Sequence, residues 1–255
     1  QSILNRLQTA FNLYLSETQR KEITANFEET LFSGMLRSAK VGTRITYFRT
    51  FIATASSEQA RERLKKLLAG DITVPEVKLS SKDKYSIIAS LLAQKDSEAS
   101  RLLALQNEID RSDDARRYAF ATVAAEASSQ TKQRYFEAYT KDEKLAERWI
   151  EESLTAFNSI GHSGLTLPYL EQALKELPKI KRTRKIFFIG SWLSAFIGGQ
   201  KEREALILVK KFLETENLDR DLRLKVLEAV DSLERCVKIR EKFAQEAVTV
   251  VDSRR

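Results

Sequence analysis

The chain has 255 residues, 42% of them hydrophobic, which is enough to bury a sizeable core and excludes an intrinsically disordered protein. Only 8 Gly and 3 Pro are present, too few for the many turns of a β-sandwich or β-barrel. The 43 Lys and Arg residues are interspersed with 36 Asp and Glu, so the net charge of +7 indicates an ordinary solvated surface, and we do not expect nucleic acid as a partner.

Helix-start signals recur along the chain. Residues 16–19 (SETQ), 56–59 (SSEQ) and 140–143 (TKDE) each fit the capping box, in which a hydroxyl and an acid or amide side chain bind the free N–H groups of a helix start. Asp96 or Ser97 is a candidate cap for the helix that follows them. Apolar residues fall at helical spacing after these signals, so the sequence predicts a succession of helices.

Residues 70–81 (GDITVPEVKLSS) are the exception to the helical pattern. Their apolar residues alternate as in a strand, but Pro75 interrupts the run and no partner strand is evident. We therefore predict a loop that packs over helices.

The sequence holds no catalytic or metal-binding signature. HExxH, GxSxG, P-loop and GxGxxG motifs are all missing, and the single histidine, His162, has no partner histidine with which to bind zinc. We predict a structural contact for His162 in its loop. Asp113 and Asp114 form a carboxylate pair, but acidic residues also stabilise the N-terminus of a helix, and we predict a helix start here.

Cys236 is the only cysteine, so an internal disulfide is excluded. We predict that its thiol packs between helices. A single cysteine is compatible with a reducing compartment, and we expect the protein to be cytoplasmic.

Residues 179–199 (KIKRTRKIFFIGSWLSAFIGG) run from a basic cluster into fourteen uncharged residues. The uncharged run, residues 186–199, is too short to span a membrane and lies too far along the chain to be a secretory signal, so we expect no membrane partner. Because it is apolar all round, it predicts a helix that is buried on every side. If this helix begins at Pro178, the basic residues crowd its positive end, where they need acids such as Glu171 and Glu176, or an external anion, as compensation.

These patterns together predict an all-α protein with about twelve helices. Stacked antiparallel helix pairs are expected to form a curved α-α superhelix of the HEAT or armadillo type. We expect one domain over residues 1–255, with a long final amphipathic helix and a frayed tail at 244–255.

Three segments of the C-terminal half resemble the last domain of the aminopeptidase N family of zinc metallopeptidases, including that of the endoplasmic-reticulum aminopeptidases. They occur in the family's order: Pro168-Tyr169 followed by a helix, the segment around Trp192, and residues 231–243 (DSLERCVKIREKF).

Two upstream segments are similar to the same domain. Residues 70–94 are similar to the family's loop before a helix, and residues 113–140 to the helix pair that follows. The resemblance covers about residues 57–243 and extends more weakly over residues 1–55.

The resemblance implies a place in a larger enzyme. A complete family member has an N-terminal β domain, a thermolysin-like domain with HExxH and a zinc-binding Glu, and a helical domain last. Zinc-bound water attacks the first peptide bond, and the helical domain closes over the site as a concave cap that helps to hold the peptide. The present sequence lacks HExxH and the GxMEN motif and begins at Gln1, so we expect an excised C-terminal piece that is inactive alone and binds no cofactor.

The expected partners are therefore peptide substrates and the N-terminal and zinc-containing catalytic domains of the same polypeptide. Candidate substrate-facing residues, able to attract the C-terminal carboxylate of a peptide, are Lys181, Arg182, Arg184 and Lys185. Two alternatives stay open. One is a protein-interaction scaffold, and the other is a basic helical-repeat module that binds nucleic acid through a single stripe of cations: Lys179, Arg182, Arg184 and Lys185 with Arg61, Lys65 and Lys66.

Overall fold

A computed structural model describes the backbone of residues 2–252 and the side chains of residues 3–159 and 161–243. The protein is all-α, with 78% of its residues in helices and no strand among the described residues, which confirms the predicted fold class. The chain forms two compact units. Unit 1 contains residues 2–11 and 17–127, and unit 2 contains residues 12–16 and 128–252. The single domain predicted over residues 1–255 stays a prediction.

Unit 1 is a helical-repeat-like array of seven helices. The α2 and α3 helices pack as a hairpin, and α5 packs against α3, α4, α6 and α7. A side chain at Gly34 would collide with the ring of Tyr47, so glycine allows α2 and α3 to approach closely. The helices are α1 (Ser2–Thr9), α2 (Glu17–Arg37), α3 (Val41–Thr54), α4 (Glu58–Ala69), α5 (Ser81–Ala93), α6 (Ala99–Ile109) and α7 (Asp113–Ala124).

The core of unit 1 is aliphatic and aromatic, with Leu31, Met35, Phe48 and Phe51 fully buried between α2 and α3. The predicted loop at 70–81 is confirmed over residues 70–80, because Val74 is buried and its apolar neighbours pack on this core. Burial of these side chains supplies the main driving force that holds the helices together.

Two of the predicted helix starts agree with the structure in position. The α2 helix begins at Glu17, directly after Ser16, and α7 begins at Asp113 with both acids in its first turn. The N-cap of α6 is Glu98, which makes no side-chain cap bond, and not the predicted Asp96 or Ser97; the Asp96 carboxylate accepts the N–H of Glu98 at 3.0 Å. The first-turn acids of α7 thus stabilise a helix.

Two further capping predictions are wrong. The α4 helix is capped by Ser57 and not by Ser56, because both serines are bound by the buried Glu28 carboxylate, whose contacts fix their positions. Thr140 lies near the end of α8 and donates to the Phe136 carbonyl at 2.8 Å, so it starts no helix. The complete capping box of Ser80 and Asp83 at α5 was not predicted.

Unit 2 contains the other seven helices. A 3-10 turn, Ile160–His162, precedes α10, and α10 packs against α8, α12 and α13, while α12 packs against α9 and α14. The helices are α8 (Ser129–Lys141), α9 (Glu147–Phe157), α10 (Ser163–Lys175), α11 (Leu177–Thr183), α12 (Phe188–Phe196), α13 (Arg203–Thr215) and α14 (Arg220–Asp252).

The core of unit 2 is built on aromatic rings. Trp192 lies 4.4 Å from Phe196 and 5.9 Å from Phe188, measured between ring centroids, and all three are buried. Phe157 and Tyr139 add edge contacts from α9 and α8. Such tilted and edge-on ring pairs stabilise a core beyond the area that they bury.

The final helix, α14, also anchors residues 12–16. The buried Cys236 thiol donates to the Leu13 carbonyl at 3.1 Å, and Arg240 donates to the Leu15 carbonyl at 2.6 Å. The cysteine therefore packs between structural elements, as predicted. The α14 backbone is helical to Asp252, while residues 253–255 of the predicted tail lie outside the described residues.

Candidate functional site: a basic segment at an exposed turn

Five cations lie on α11 and on the turn that follows it, and we call this set the basic segment: Lys179, Lys181, Arg182, Arg184 and Lys185. The α11 helix forms because Pro178 occupies its first turn and the buried Leu177 and Ile180 fix one face to the unit 2 core. It ends at Thr183, and α12 begins only at Phe188.

The predicted clash between the basic segment and a helix dipole is wrong. We expected one helix from Pro178 through the apolar run, with the cations at its positive end. Instead, α11 stops after seven residues, and Lys181 and Arg182 lie in its last turn, where a helix dipole favours cations. An external anion is therefore not needed to balance the dipole.

Lys181 is held by two acids from the start of α14. Its ammonium donates to Asp219 Oδ1 at 2.7 Å and lies 3.3 Å from Asp221 Oδ2. The hydrogen bond to Asp219 raises the pKa of Lys181, and the same bond lowers the pKa of the Asp219 carboxyl. Lys181 is thus already partnered within unit 2.

Other members of the basic segment also have internal contacts. Lys179 lies 3.8 Å from the Glu176 carboxylate and donates to the Thr140 carbonyl at 2.9 Å. The Arg184 guanidinium lies over the Phe188 ring, 5.7 Å from its centroid. The Glu176 contact is one of the acid pairings proposed for this segment, whereas Glu171 pairs with Lys175 instead.

The substrate-facing role predicted for four of these residues stays a prediction. The structure places Arg182 and Lys185 on the surface and leaves Arg184 half-buried, so all three side chains reach solvent, while Lys181 faces its two acids. Lys185 binds Glu147 through its backbone N–H, at 3.1 Å, which leaves its ammonium outside that bond.

The prediction of an apolar run buried on every side is wrong: its first two residues are exposed, and Gly190, Ser194 and Gly198 form an exposed face on the part that follows. Ile186 is 72% exposed and Phe187 is 84% exposed, because the turn before α12 points them outward. Trp192, Phe188 and Phe196 are buried as expected. A sequence signal existed: four consecutive apolar residues, IFFI, cannot all face one side of a helix.

The cations proposed as the far end of a nucleic-acid stripe are in unit 1, where acids partner two of them. Lys65 lies within 3.5 Å of the Glu62, Asp96 and Glu98 carboxylates, and these contacts raise its pKa. Arg61 lies 3.7 Å from Asp96. Their charge is partly neutralised within unit 1, which weakens the case for phosphate binding.

The described residues offer no cluster of three or more His, Cys, Asp or Glu side chains that could hold a metal ion. His162 ends the 3-10 turn before α10, and Cys236 is buried on α14. Burial raises the pKa of the Cys236 thiol, which disfavours its reactive thiolate form. Across the described part of the chain, no helix combines the length and apolar content needed to cross a bilayer.

In comparisons with known proteins, no family model and no curated protein matches this chain.

Proposed function

We propose that this chain is the C-terminal helical domain of a zinc-dependent aminopeptidase, which encloses the active site and helps to hold the peptide. The observation that carries the proposal is the meeting of the three family-like segments within unit 2. They are separated along the chain, and a resemblance that reflects a shared fold requires them to pack together.

The first two segments are joined through α10 and α12. Tyr169 packs its ring on Phe136, at 4.9 Å between centroids, and Trp192 Nε1 donates to the Ala173 carbonyl at 2.9 Å. Pro168 lies inside α10, immediately before Tyr169. The aromatic residues of these segments therefore fix α10 against α8 and α12.

The third segment lies on α14, which packs against α12 and α13. Leu233 and Val237 are buried in this packing, and Arg240 pairs with Glu202 at 3.3 Å. The pattern of the segment therefore has a structural use: Leu233 and Val237 face the unit 2 core, and Arg240 ties the helix to the start of α13.

In this proposal the chain supplies peptide contacts and the rest of the polypeptide supplies zinc. Bound zinc would activate the water that attacks the peptide bond. Within this chain, Arg182, Arg184 and Lys185 are the cations that remain to attract the carboxylate of a long peptide, since Lys181 is occupied by Asp219 and Asp221.

Sequencing the natural transcript upstream of Gln1 tests the proposal directly. An in-frame HExxH, followed by a downstream zinc-binding Glu, is the expected result. A natural polypeptide without such a motif contradicts the assignment.

A kinetic experiment on the full-length protein tests the peptide-holding role. Arg182→Glu/Lys185→Glu is expected to lower kcat/KM for a ten-residue peptide and to spare a single-residue amide, with a smaller effect at high salt because exposed charges are screened over about 8 Å. Lys144→Glu/Lys211→Glu, which alters two other exposed lysines of unit 2, is the control. Equal losses on both substrates would indicate a folding defect, and no loss would contradict the role.

A further inference from the structure

The turn between α11 and α12 presents two large apolar side chains next to each other. Ile186 and Phe187 are mostly exposed, whereas the next two residues, Phe188 and Ile189, are buried. We call Ile186 and Phe187 the apolar tip. An exposed aromatic and an exposed branched aliphatic side chain at adjacent positions indicate a contact surface more strongly than scattered single residues do.

The fold holds the apolar tip outward. The N–H of Arg184 donates to the Ile180 carbonyl at 2.9 Å, and the N–H of Phe188 donates to the Lys185 carbonyl at 3.0 Å, so both sides of the turn are closed by hydrogen bonds. Ile180 and Phe188 are both buried. Because the core is filled from both sides of the turn, the tip cannot fold inward without displacing them.

The surroundings of the tip are cationic. No acidic residue occurs in the sequence between Glu176 and Glu202. Lys179 and Lys181 face acids, which leaves Arg182, Arg184 and Lys185 as the cations beside the tip. The fold also brings carboxylates from α9 here: Glu147 accepts the backbone N–H of Lys185, and Glu151 lies 3.5 Å from the Ser191 hydroxyl.

A second copy of this chain fits the tip poorly. The two side chains offer about 300 Å² of apolar surface, so a symmetric contact would bury about 600 Å², well below the ~1,200 Å² of a stable protein interface. A two-fold contact at the tip would also bring Arg182 and Lys185 of both copies together, and like charges repel.

We propose that the apolar tip binds the surface of an anionic lipid bilayer. Ile186 and Phe187 would enter the boundary between headgroups and acyl chains, and Arg182 and Lys185 would lie at the lipid phosphates. Apolar side chains flanked by cations suit this surface because insertion and electrostatic attraction act together. The proposal concerns binding to a surface and not a membrane span, and it does not rest on the proposed enzymatic role.

Co-sedimentation of the purified chain with vesicles tests the binding. We expect binding to vesicles of phosphatidylcholine with 30% phosphatidylserine, weakening as salt rises, and little binding to pure phosphatidylcholine. Ile186→Ser/Phe187→Ser should lower the partition coefficient more than 10-fold, since each residue loses its apolar insertion. Arg182→Gln/Lys185→Gln should lower it about 25-fold, since each cation near such a surface contributes about five-fold.

Matched variants in unit 1 control for exposure and charge. The exposed fraction of Ile109, 66%, is similar to that of Ile186, but Ile109 is flanked by Glu108 and Asp110. We therefore expect Ile109→Ser to leave vesicle binding unchanged. Arg101→Gln/Arg116→Gln removes two exposed arginines elsewhere and should have a much smaller effect than the tip variants. Circular dichroism melting confirms that each variant is folded.

A fluorescence measurement locates the contact. In Phe187→Trp, the added tryptophan should shift to shorter wavelength on anionic vesicles and be quenched by brominated acyl chains, whereas the tryptophan of Ile109→Trp should not. If Arg182 and Lys185 capture peptides by charge alone, peptide capture should be unchanged in Ile186→Ser/Phe187→Ser, whereas vesicle binding should fall. This variant therefore separates the peptide-binding role of the two cations from their lipid-binding role. Absence of wild-type binding to anionic vesicles, or binding that the serine variants retain, overturns the proposal.

Discussion

Trp192 Nε1 donates a hydrogen bond to the carbonyl oxygen of Ala173 at 2.9 Å, which ties α12 to α10. The indole is 1% exposed and lies among Phe188, Phe196 and Tyr139. One side chain thus fills the centre of unit 2 and satisfies a polar group inside it.

Trp192→Ala is expected to destabilise unit 2 by about 3–5 kcal/mol, because it removes buried apolar surface and leaves a cavity. Trp192→Phe keeps a ring but leaves the Ala173 carbonyl without its donor, which costs about 1–3 kcal/mol. Urea unfolding followed by the fluorescence of Trp149, which also lies in unit 2, measures both. Phe187→Ala, at an exposed position, should change the free energy of unfolding by less than about 0.5 kcal/mol. A comparable loss in that control would contradict the burial argument.

Glu28→Gln is expected to loosen the junction between α3 and α4. The buried Glu28 carboxylate accepts bonds from the backbone N–H groups of Ser56 and Ser57, at 2.6 and 3.1 Å, and from both hydroxyls. An amide replaces one acceptor oxygen with a donor, which leaves part of this set unpaired and costs about 1–3 kcal/mol. Hydrogen exchange of peptides covering residues 56–61 should become faster. The exposed Glu22→Gln is the control, and unchanged exchange in Glu28→Gln would refute the prediction.

The Lys181–Asp219 pair predicts a defined pH dependence. The pKa of Asp219 is lowered by folding, so the pair stabilises unit 2 fully above about pH 4 and loses its effect as the pH falls further. The pKa of Lys181 is raised, so the effect persists at neutral pH and fades above about pH 10.

Lys181→Gln should therefore lower Tm at neutral pH, and the difference from the wild type should shrink below about pH 4 and above about pH 10. Melting curves across this range measure it, with Lys144→Gln as an exposed-lysine control. A Tm difference that stays the same at pH 3 and pH 7 would show that the ion pair is not its cause.

Cys236 should react slowly with alkylating reagents in the folded protein. Its thiol is buried, bonded to the Leu13 carbonyl and shifted to a higher pKa by burial. We expect alkylation by iodoacetamide at pH 8 to be at least about 100-fold slower than in the urea-unfolded chain, because reaction requires local opening of α14. Ser194→Cys in a Cys236→Ser background places a thiol at an exposed position and should react quickly. Rapid alkylation of native Cys236 would show that the packing of α14 is weaker than described.

The isolated chain should release no N-terminal residues from peptides, with or without added Zn²⁺. One histidine cannot build the two-histidine site that such hydrolysis requires. Release of free amino acids from a peptide, followed by mass spectrometry, measures this. Zinc-dependent release by the purified chain would contradict the proposal that catalysis resides elsewhere in the polypeptide.

The sequence by itself determined the fold class and several local features. Helical periodicity and the scarcity of Gly and Pro predict an all-α protein, because both depend on residues close together in the chain. Asp113 at a helix start, the loop around Pro75 and the buried ring of Trp192 follow from the same local reasoning. These features need no knowledge of distant contacts.

Only the tertiary structure decided which residues face one another across distant parts of the chain. Glu28 positions Ser57 and not Ser56 as a cap, although 29 positions separate the acid from Ser57. Asp219 partners Lys181 from 38 positions away, so the basic segment is less free than its composition indicates. The break between α11 and α12 has the same origin: the core accepts Ile180 and Phe188 on either side of the turn, and the apolar tip is left outside because no inward space remains for it.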